Sequence, residues 1–223
     1  MINEYSEILY DICSDGDIQS LKEIVSSKKV NINEMYLTGL TPLIHLIIRN
    51  HTEMVMYFLK QPELRIDLID IDGETAFHWA CSHNMRIAIL RLLCEDKRCT
   101  PTVLNIKNEN GWTALMVAVN NGQLEIVKEL DKMEGIDFDT KNNDDKTLIE
   151  MARMNPTNFP PSILKGKSAV LEYLWNRKKN TLKGIAANIV GKHLANKEAI
   201  DVLVDDLHIP KSLKTMVADF IDN

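Results

Sequence analysis

Long apolar runs are missing from this 223-residue chain. The core-like stretches, such as Leu43–Ile48, fall far short of the ~20 residues that a membrane span needs. The first seven residues, Met1 to Glu7, carry acids where a secretory leader carries Lys or Arg, and no apolar segment follows them, so no leader is expected. Cysteine is scarce. Four in a chain of this length (Cys13, Cys81, Cys94 and Cys99) exclude a disulfide scaffold and fit reduced thiols in the cytoplasm or nucleus. Positive charge is in deficit, with 26 Lys and Arg against 32 Asp and Glu and a net charge of −6. That balance suits neither phosphate backbones nor anionic bilayers, so nucleic acid and membrane are not expected as partners. No Gly-rich phosphate loop, nucleophile elbow or HExxH motif occurs, and neither catalysis nor a cofactor is expected. What remains is 45% hydrophobic and 26% charged, the composition of a folded protein.

Self-similarity organises that material. Gly39-Leu-Thr-Pro-Leu-Ile-His, Gly73-Glu-Thr-Ala-Phe-His-Trp-Ala, Gly111-Trp-Thr-Ala-Leu-Met-Val-Ala and Asp145-Lys-Thr-Leu-Ile-Glu-Met-Ala align on Thr41, Thr75, Thr113 and Thr147, in steps of 34, 38 and 34. A second apolar helix follows each of the first three, at Val55–Leu59, Ile89–Leu93 and Ile126–Leu130. Ahead of them, Ile8–Cys13 and Ile18–Val25 flank Asp15-Gly16-Asp17 as a helix pair without a leading turn. The pattern predicts about five units over residues 1–178. Pro42 suits a first helical turn, Gly39, Gly73 and Gly111 suit turns with positive φ, and Ala80, Ala118 and Ala152 keep the first helices slim enough to stack. The 38-residue step adds four residues within Glu95–Thr102. The fifth unit carries an insert at 155–167, whose Asn155–Ser162 stretch holds three of the seven prolines and is expected to be a surface loop.

Period, turn glycine and paired helices together resemble the ankyrin repeat, with its Thr-Pro-Leu-His-x-Ala signature. Only His78 matches the signature His; Ile44 stands at that position in the second unit, and the fifth lacks both turn glycine and proline. The resemblance implies an all-α solenoid with short β-hairpin turns between helix pairs. It also implies a client-binding groove, for which the candidates are Met35, Tyr36 and His45 of the second unit, Ile69, Ile71 and Trp79 of the third, and Lys107, Glu109 and Trp112 of the fourth. Trp79 and Trp112 are candidates for paired aromatic anchors, or else for packing between units. His78, Cys81 and His83 lie close together, but no further ligand at zinc spacing follows, so no metal site is expected.

Residues 180–223 break the period and form three amphipathic stretches. Thr181-Leu182 with Ala186 and Val190, followed by Leu207-His208-Ile209-Pro210 and Leu213, resembles a SOCS box: a BC box and then a cullin box. Ala186 replaces the usual Cys, and His208 replaces the first proline. Behind ankyrin repeats, this layout is that of the ankyrin repeat and SOCS box family. It implies that Leu182, Ile185, Ala186, Ile189 and Val190 meet elongin B/elongin C, while Leu207, Ile209, Pro210 and Leu213 meet a cullin, cullin-5 in that family. The chain would then be the substrate receptor of a cullin-RING ubiquitin ligase. Alternatively, the three helices only cap the solenoid and the chain is a stand-alone scaffold or inhibitor.

Overall fold

A computed structural model describes residues 4–82, 86–154 and 160–192, with side chains through Thr181. Two compact units divide the chain, residues 1–172 and 173–223.

The first unit is built of helix pairs. α1 (Glu4–Asp15), α3 (Pro42–Ile48), α5 (Ala76–Ala80), α8 (Ala114–Asn120) and α10 (Leu148–Arg153) pack side by side as an inner layer. α2 (Ile18–Ser26), α4 (Thr52–Leu59), α6 (Ile87–Glu95) and α9 (Leu124–Leu130) form the outer layer, each against its own partner and its neighbours. Two of the inner helices, α3 and α8, are short and apolar all round: Pro42 to Ile47 and Ala114 to Val119 are entirely buried. Such helices have no face for solvent and exist only inside a stack. The outer helices are amphipathic and bury one repeated triad: Met54, Val55 and Phe58; Ile89, Leu90 and Leu93; Ile126, Val127 and Leu130. Each such side chain contributes about 1.5–3 kcal/mol on leaving water.

The repeated threonines mark helix starts. Thr41, Thr113 and Thr147 accept hydrogen bonds from the backbone N–H groups of Ile44, Met116 and Glu150, capping donors that the helix leaves unpaired. In the third unit His78 takes over. Its Nδ1 accepts the Thr75 N–H at 3.1 Å, and its Nε2 lies 2.8 Å from the Trp112 carbonyl of the next unit. A neutral ring protonated on Nε2 satisfies both ends, so the signature histidine is a clamp between units.

The turns differ from the hairpins expected. Among the described residues the fingers contain no strand pair, only an isolated antiparallel bridge between Ile69 and Thr75. The first finger is closed by backbone bonds, the Tyr36 N–H donating to Leu40 O at 2.8 Å, and the other three also by a buried side chain. Asp70 Oδ1 accepts from the N–H groups of Asp72 and Glu74, Asn108 Oδ1 from those of Asn110 and Trp112, and Asn142 Oδ1 from those of Asp144 and Lys146. These local bonds add to the one backbone bond that spans each turn, from the Asp70, Asn108 and Asn142 N–H groups to Glu74, Trp112 and Lys146 O. Gly39, Gly73 and Gly111 adopt φ of 79°, 74° and 72°, and Asp145 takes the same left-handed conformation at 61°, a region that Asp tolerates better than most residues. The missing glycine of the fifth unit is thus replaced without change of turn.

Between units, Asn33 bridges to Glu63 O and the Arg65 N–H, and Asn105 bridges to Gly135 O and the Asp137 N–H. Asp67 occupies the intervening position and pairs with Arg65 instead; a carboxylate cannot donate to a carbonyl. There the four-residue extension supplies the joint. Arg98 donates to the carbonyls of Leu59, Gln61 and Leu64, at 2.8, 3.1 and 2.8 Å, while paired with Asp96. α7 (Pro101–Leu104) follows, capped by Thr100.

The expected loop at 155–162 ends earlier than its prolines suggest. α11 (Pro161–Lys192) begins at Pro161, because proline is disfavoured inside a helix but welcome in its first turn; residues 155–159 lie outside the described residues. Gly166 of α11 meets Gly122, the turn between α8 and α9, backbone to backbone, and Lys167 is fully buried, with Nζ 3.3 Å from Asn120 Oδ1. α11 continues without a break through Arg177-Lys178-Lys179, where the repeats were expected to give way to the tail.

In the second unit the described helix runs from Tyr173 to Lys192, with Leu174 buried.

Candidate functional site

The fingers make one continuous rim. The Ile71 N–H donates to Gly39 O at 3.2 Å, that of Glu109 to Asp72 O at 3.3 Å, and that of Asn143 to Asn110 O at 3.2 Å. Within each finger the position that closes the turn is buried (Tyr36, Asp70, Asn108 and Asn142). The residues on either side of it reach the surface. They are Met35 and Leu37, Ile69 and Ile71, Lys107 and Glu109, and Lys141 and Asn143. The rim is therefore apolar on its first two fingers and polar on the next two. Met35 is 45% exposed, Leu37 79%, Ile69 46% and Ile71 63%, which is a large apolar display for adjacent turns.

Of the nine groove candidates, Met35, Ile69, Ile71, Lys107 and Glu109 lie exposed on this rim. Lys107 also donates to Lys141 O at 2.8 Å. Tyr36 and His45 do not belong to an exposed surface. Tyr36 holds the turn-closing position, and its hydroxyl donates to Cys13 Sγ at 3.6 Å. His45 is 3% exposed, with its ring centroid 4.6 Å from that of Tyr10 and 5.7 Å from that of Tyr36. The physical reason is alternation: a finger residue whose neighbours face solvent faces the core, and α3 is buried on every side.

Trp79 and Trp112 are half-buried, not free anchors. The Trp79 indole Nε1 donates to Asp70 Oδ2 at 2.7 Å, so it braces its own finger. The backbone of Trp112 is bonded to Asn108 and His78. Leu37, the most exposed of the rim's large apolar side chains, was missed by the sequence reading. Its signal was the apolar–x–apolar spacing of Met35 and Leu37, repeated by Ile69 and Ile71.

A cavity of about 410 Å³ opens beside the first finger. Glu7, Tyr10 and Asp11 of α1 and Glu34, Met35 and Leu37 of the finger line it. Behind Tyr10 and Tyr36 the core is sensitive to protons. Burial, with Arg49 and His51 nearby, holds His45 down to about 4, and burial raises the Cys13 thiol to about 12. The His45 ring accepts from Arg49 Nε at 3.4 Å, while its Nδ1 has no protein partner. Because the folded state binds this proton less readily than the unfolded chain does, stability is complete above about pH 6.5 and declines as pH falls toward 4. The urea midpoint should fall between about pH 7 and pH 5, and His45→Gln should reduce that fall; an identical fall in the variant would exclude His45 as a cause.

Neither the His78 nor the Cys81 side chain is open to a ligand: the ring is bonded at both nitrogens and Cys81 is buried with its thiol shifted upward. His83 lies outside the described residues. So do the side chains of Leu182, Ile185, Ala186, Ile189 and Val190, whose backbone is part of α11, and the whole of Leu207, Ile209, Pro210 and Leu213.

A family model for ankyrin repeats, in three copies, matches residues 9–105 and 63–144, which together exceed half of the chain. The chain belongs to the ankyrin-repeat family. The match stops short of the SOCS-box-like segment, and no match to a SOCS-box family accompanies it. Two similar relatives are the SMC5-SMC6 complex localization factor protein 1 of Homo sapiens, 33% identical over 119 residues, and that of Bos taurus, 31% identical over 119 residues. Each match covers 52% of this chain and 11% of the relative, so the ankyrin-repeat chain spans about a tenth of their length. Ankyrin repeats are protein-interaction modules, and among the described residues no helix is long and apolar enough to cross a membrane.

Proposed function

We propose that this chain is a non-enzymatic recognition module that holds a protein partner along its finger rim, with Met35, Leu37, Ile69 and Ile71 at the centre of the contact. The observation that carries the reading is the exposure of these four apolar side chains on two bonded, adjacent fingers. Side chains so displayed keep much of their apolar surface in water and are the kind that dominates interface energetics when covered. A photo-cross-linker at position 37 should capture the partner. Leu37→Ser with Ile71→Ser should then weaken binding of the purified partner about tenfold or more, which is about 1.4 kcal/mol or more, while the chain still unfolds cooperatively with only a small shift of the thermal midpoint, since Ile71 also packs on Gly39. An unchanged Kd would overturn the reading.

The tail gives that recognition a purpose. In this reading residues 180–223 carry the BC-box and cullin-box contacts to elongin B/elongin C and cullin-5, and the chain presents its client for ubiquitin transfer in the cytoplasm or nucleus. Its support is the order of the two boxes behind the repeats and the helical backbone from Thr181 to Lys192. Purified chain and elongin B/C should co-elute from a sizing column, and Leu182→Asp should abolish this. Separate elution of the unaltered chain would leave the second reading, a stand-alone scaffold. Similarity to proteins named as localization factors favours that alternative, a module that brings an assembly to its place.

A further inference from the structure

We infer that the cavity between α1 and the first finger receives a lysine or arginine side chain of the bound protein, while an apolar neighbour in the same peptide covers Met35 and Leu37. This deepens the recognition reading of the rim and rests on it. Three carboxylates line the cavity, Glu7 and Asp11 from α1 and Glu34 from the finger, and among the described residues no cation lines it. Glu7 and Asp11 are exposed and one helical turn apart, an arrangement that like-charge repulsion disfavours in a free helix. Among the described residues, neither gains a bond that would explain the pairing. Glu34 is held in place across the cavity by the Ser6 hydroxyl, which donates to its Oε2 at 2.9 Å.

The choice of occupant follows from charge and spacing. Phosphate-bearing partners are repelled by three acids without a counter-charge. A divalent metal needs its oxygen ligands within one coordination sphere, and no group of acids among the described residues is close enough to hold one. An ammonium or guanidinium on a long stem satisfies dispersed acceptors and fills an elongated space. The exposed Met35 and Leu37 beside the acids then fix the second half of the motif, an apolar residue next to the cation.

The test uses phage-displayed random peptides selected on the full chain. Enriched peptides should carry Lys or Arg next to Leu, Ile or Met. A triple variant, Glu7→Gln, Asp11→Asn and Glu34→Gln, should bind synthetic copies of those peptides roughly tenfold more weakly. It should lose the steep salt dependence yet keep the apolar preference and an unchanged or higher thermal midpoint. The variant Leu37→Ser with Ile71→Ser should lose binding of every selected peptide. Peptides that need the apolar rim but show no basic preference, or bind the triple variant equally well, overturn the cation site alone. Peptides indifferent to Leu37→Ser with Ile71→Ser, or no enrichment at all, overturn the recognition reading and the cation site with it.

Discussion

Arg98→Ala is expected to lower the unfolding free energy by about 2–4 kcal/mol, one of the two largest effects of a single substitution foreseen for this chain. The guanidinium closes off the carbonyls of Leu59, the last residue of α4, and of Gln61 and Leu64 beyond it, across 34 to 39 residues of sequence, and holds Asp96 as its counter-ion. Its removal leaves three carbonyls and a partly buried carboxylate to find water. Because Arg98 is one-fifth exposed (22%), the loss is placed below that of a sealed ion pair. Arg98→Lys keeps the charge but not the planar fork that reaches three acceptors at once, and should recover less than half of the loss. Urea unfolding of both variants measures this. A loss under about 1 kcal/mol for Arg98→Ala would mean that solvent replaces the guanidinium at little cost and that the joint is held by α4 and α6 alone.

Gly166→Ala decides between two opposed effects. In an exposed helix the change stabilises by about 1 kcal/mol, since alanine is the better helix former. Here a Cβ at position 166 would fall on the backbone carbonyl of Gly122, and one at position 122 would meet the Lys167 N and Ile163 O at 2.6 and 2.7 Å. Backbone atoms cannot swing aside as a long side chain does, so α11 must retreat from the turn between α8 and α9. Lys167, fully buried beside that contact with its amine near Asn120, would lose its seat. The net result expected is destabilisation of about 1–3 kcal/mol, seen as a lower urea midpoint; a raised midpoint would show that α11 packs on this turn more loosely than the glycine pair indicates.

Both residues show where reading the chain as text stops. The threonine spacing located four helix starts, those of α3, α5, α8 and α10, because capping and burial are local and recur with the period. The insert was legible as an interruption, but Pro160 and Pro161 were read as barring helix when Pro161 instead begins one. Arg98 sits in the four-residue extension among other charges, Glu95, Asp96 and Lys97, and no pattern distinguishes a guanidinium that folds back onto another unit. Gly122 and Gly166 are 44 positions apart, and only packing reveals that each lacks a side chain for the sake of the other. Tyr36 and His45 were placed outward because the phase of alternation in the first finger depends on which residue closes the turn, and because α3, which carries His45, is buried on every side.

By itself the sequence determined the family, the helix pairs and the acidic, cysteine-poor character of the chain, because hydrophobic period and turn chemistry are encoded within a few neighbouring residues. Tertiary structure alone decided which finger residues face solvent, how the units are joined at Arg98 and at the Gly122–Gly166 contact, and that Glu7, Asp11 and Glu34 share one cavity. Those depend on distances between residues far apart along the chain, which stacking fixes and local propensity does not.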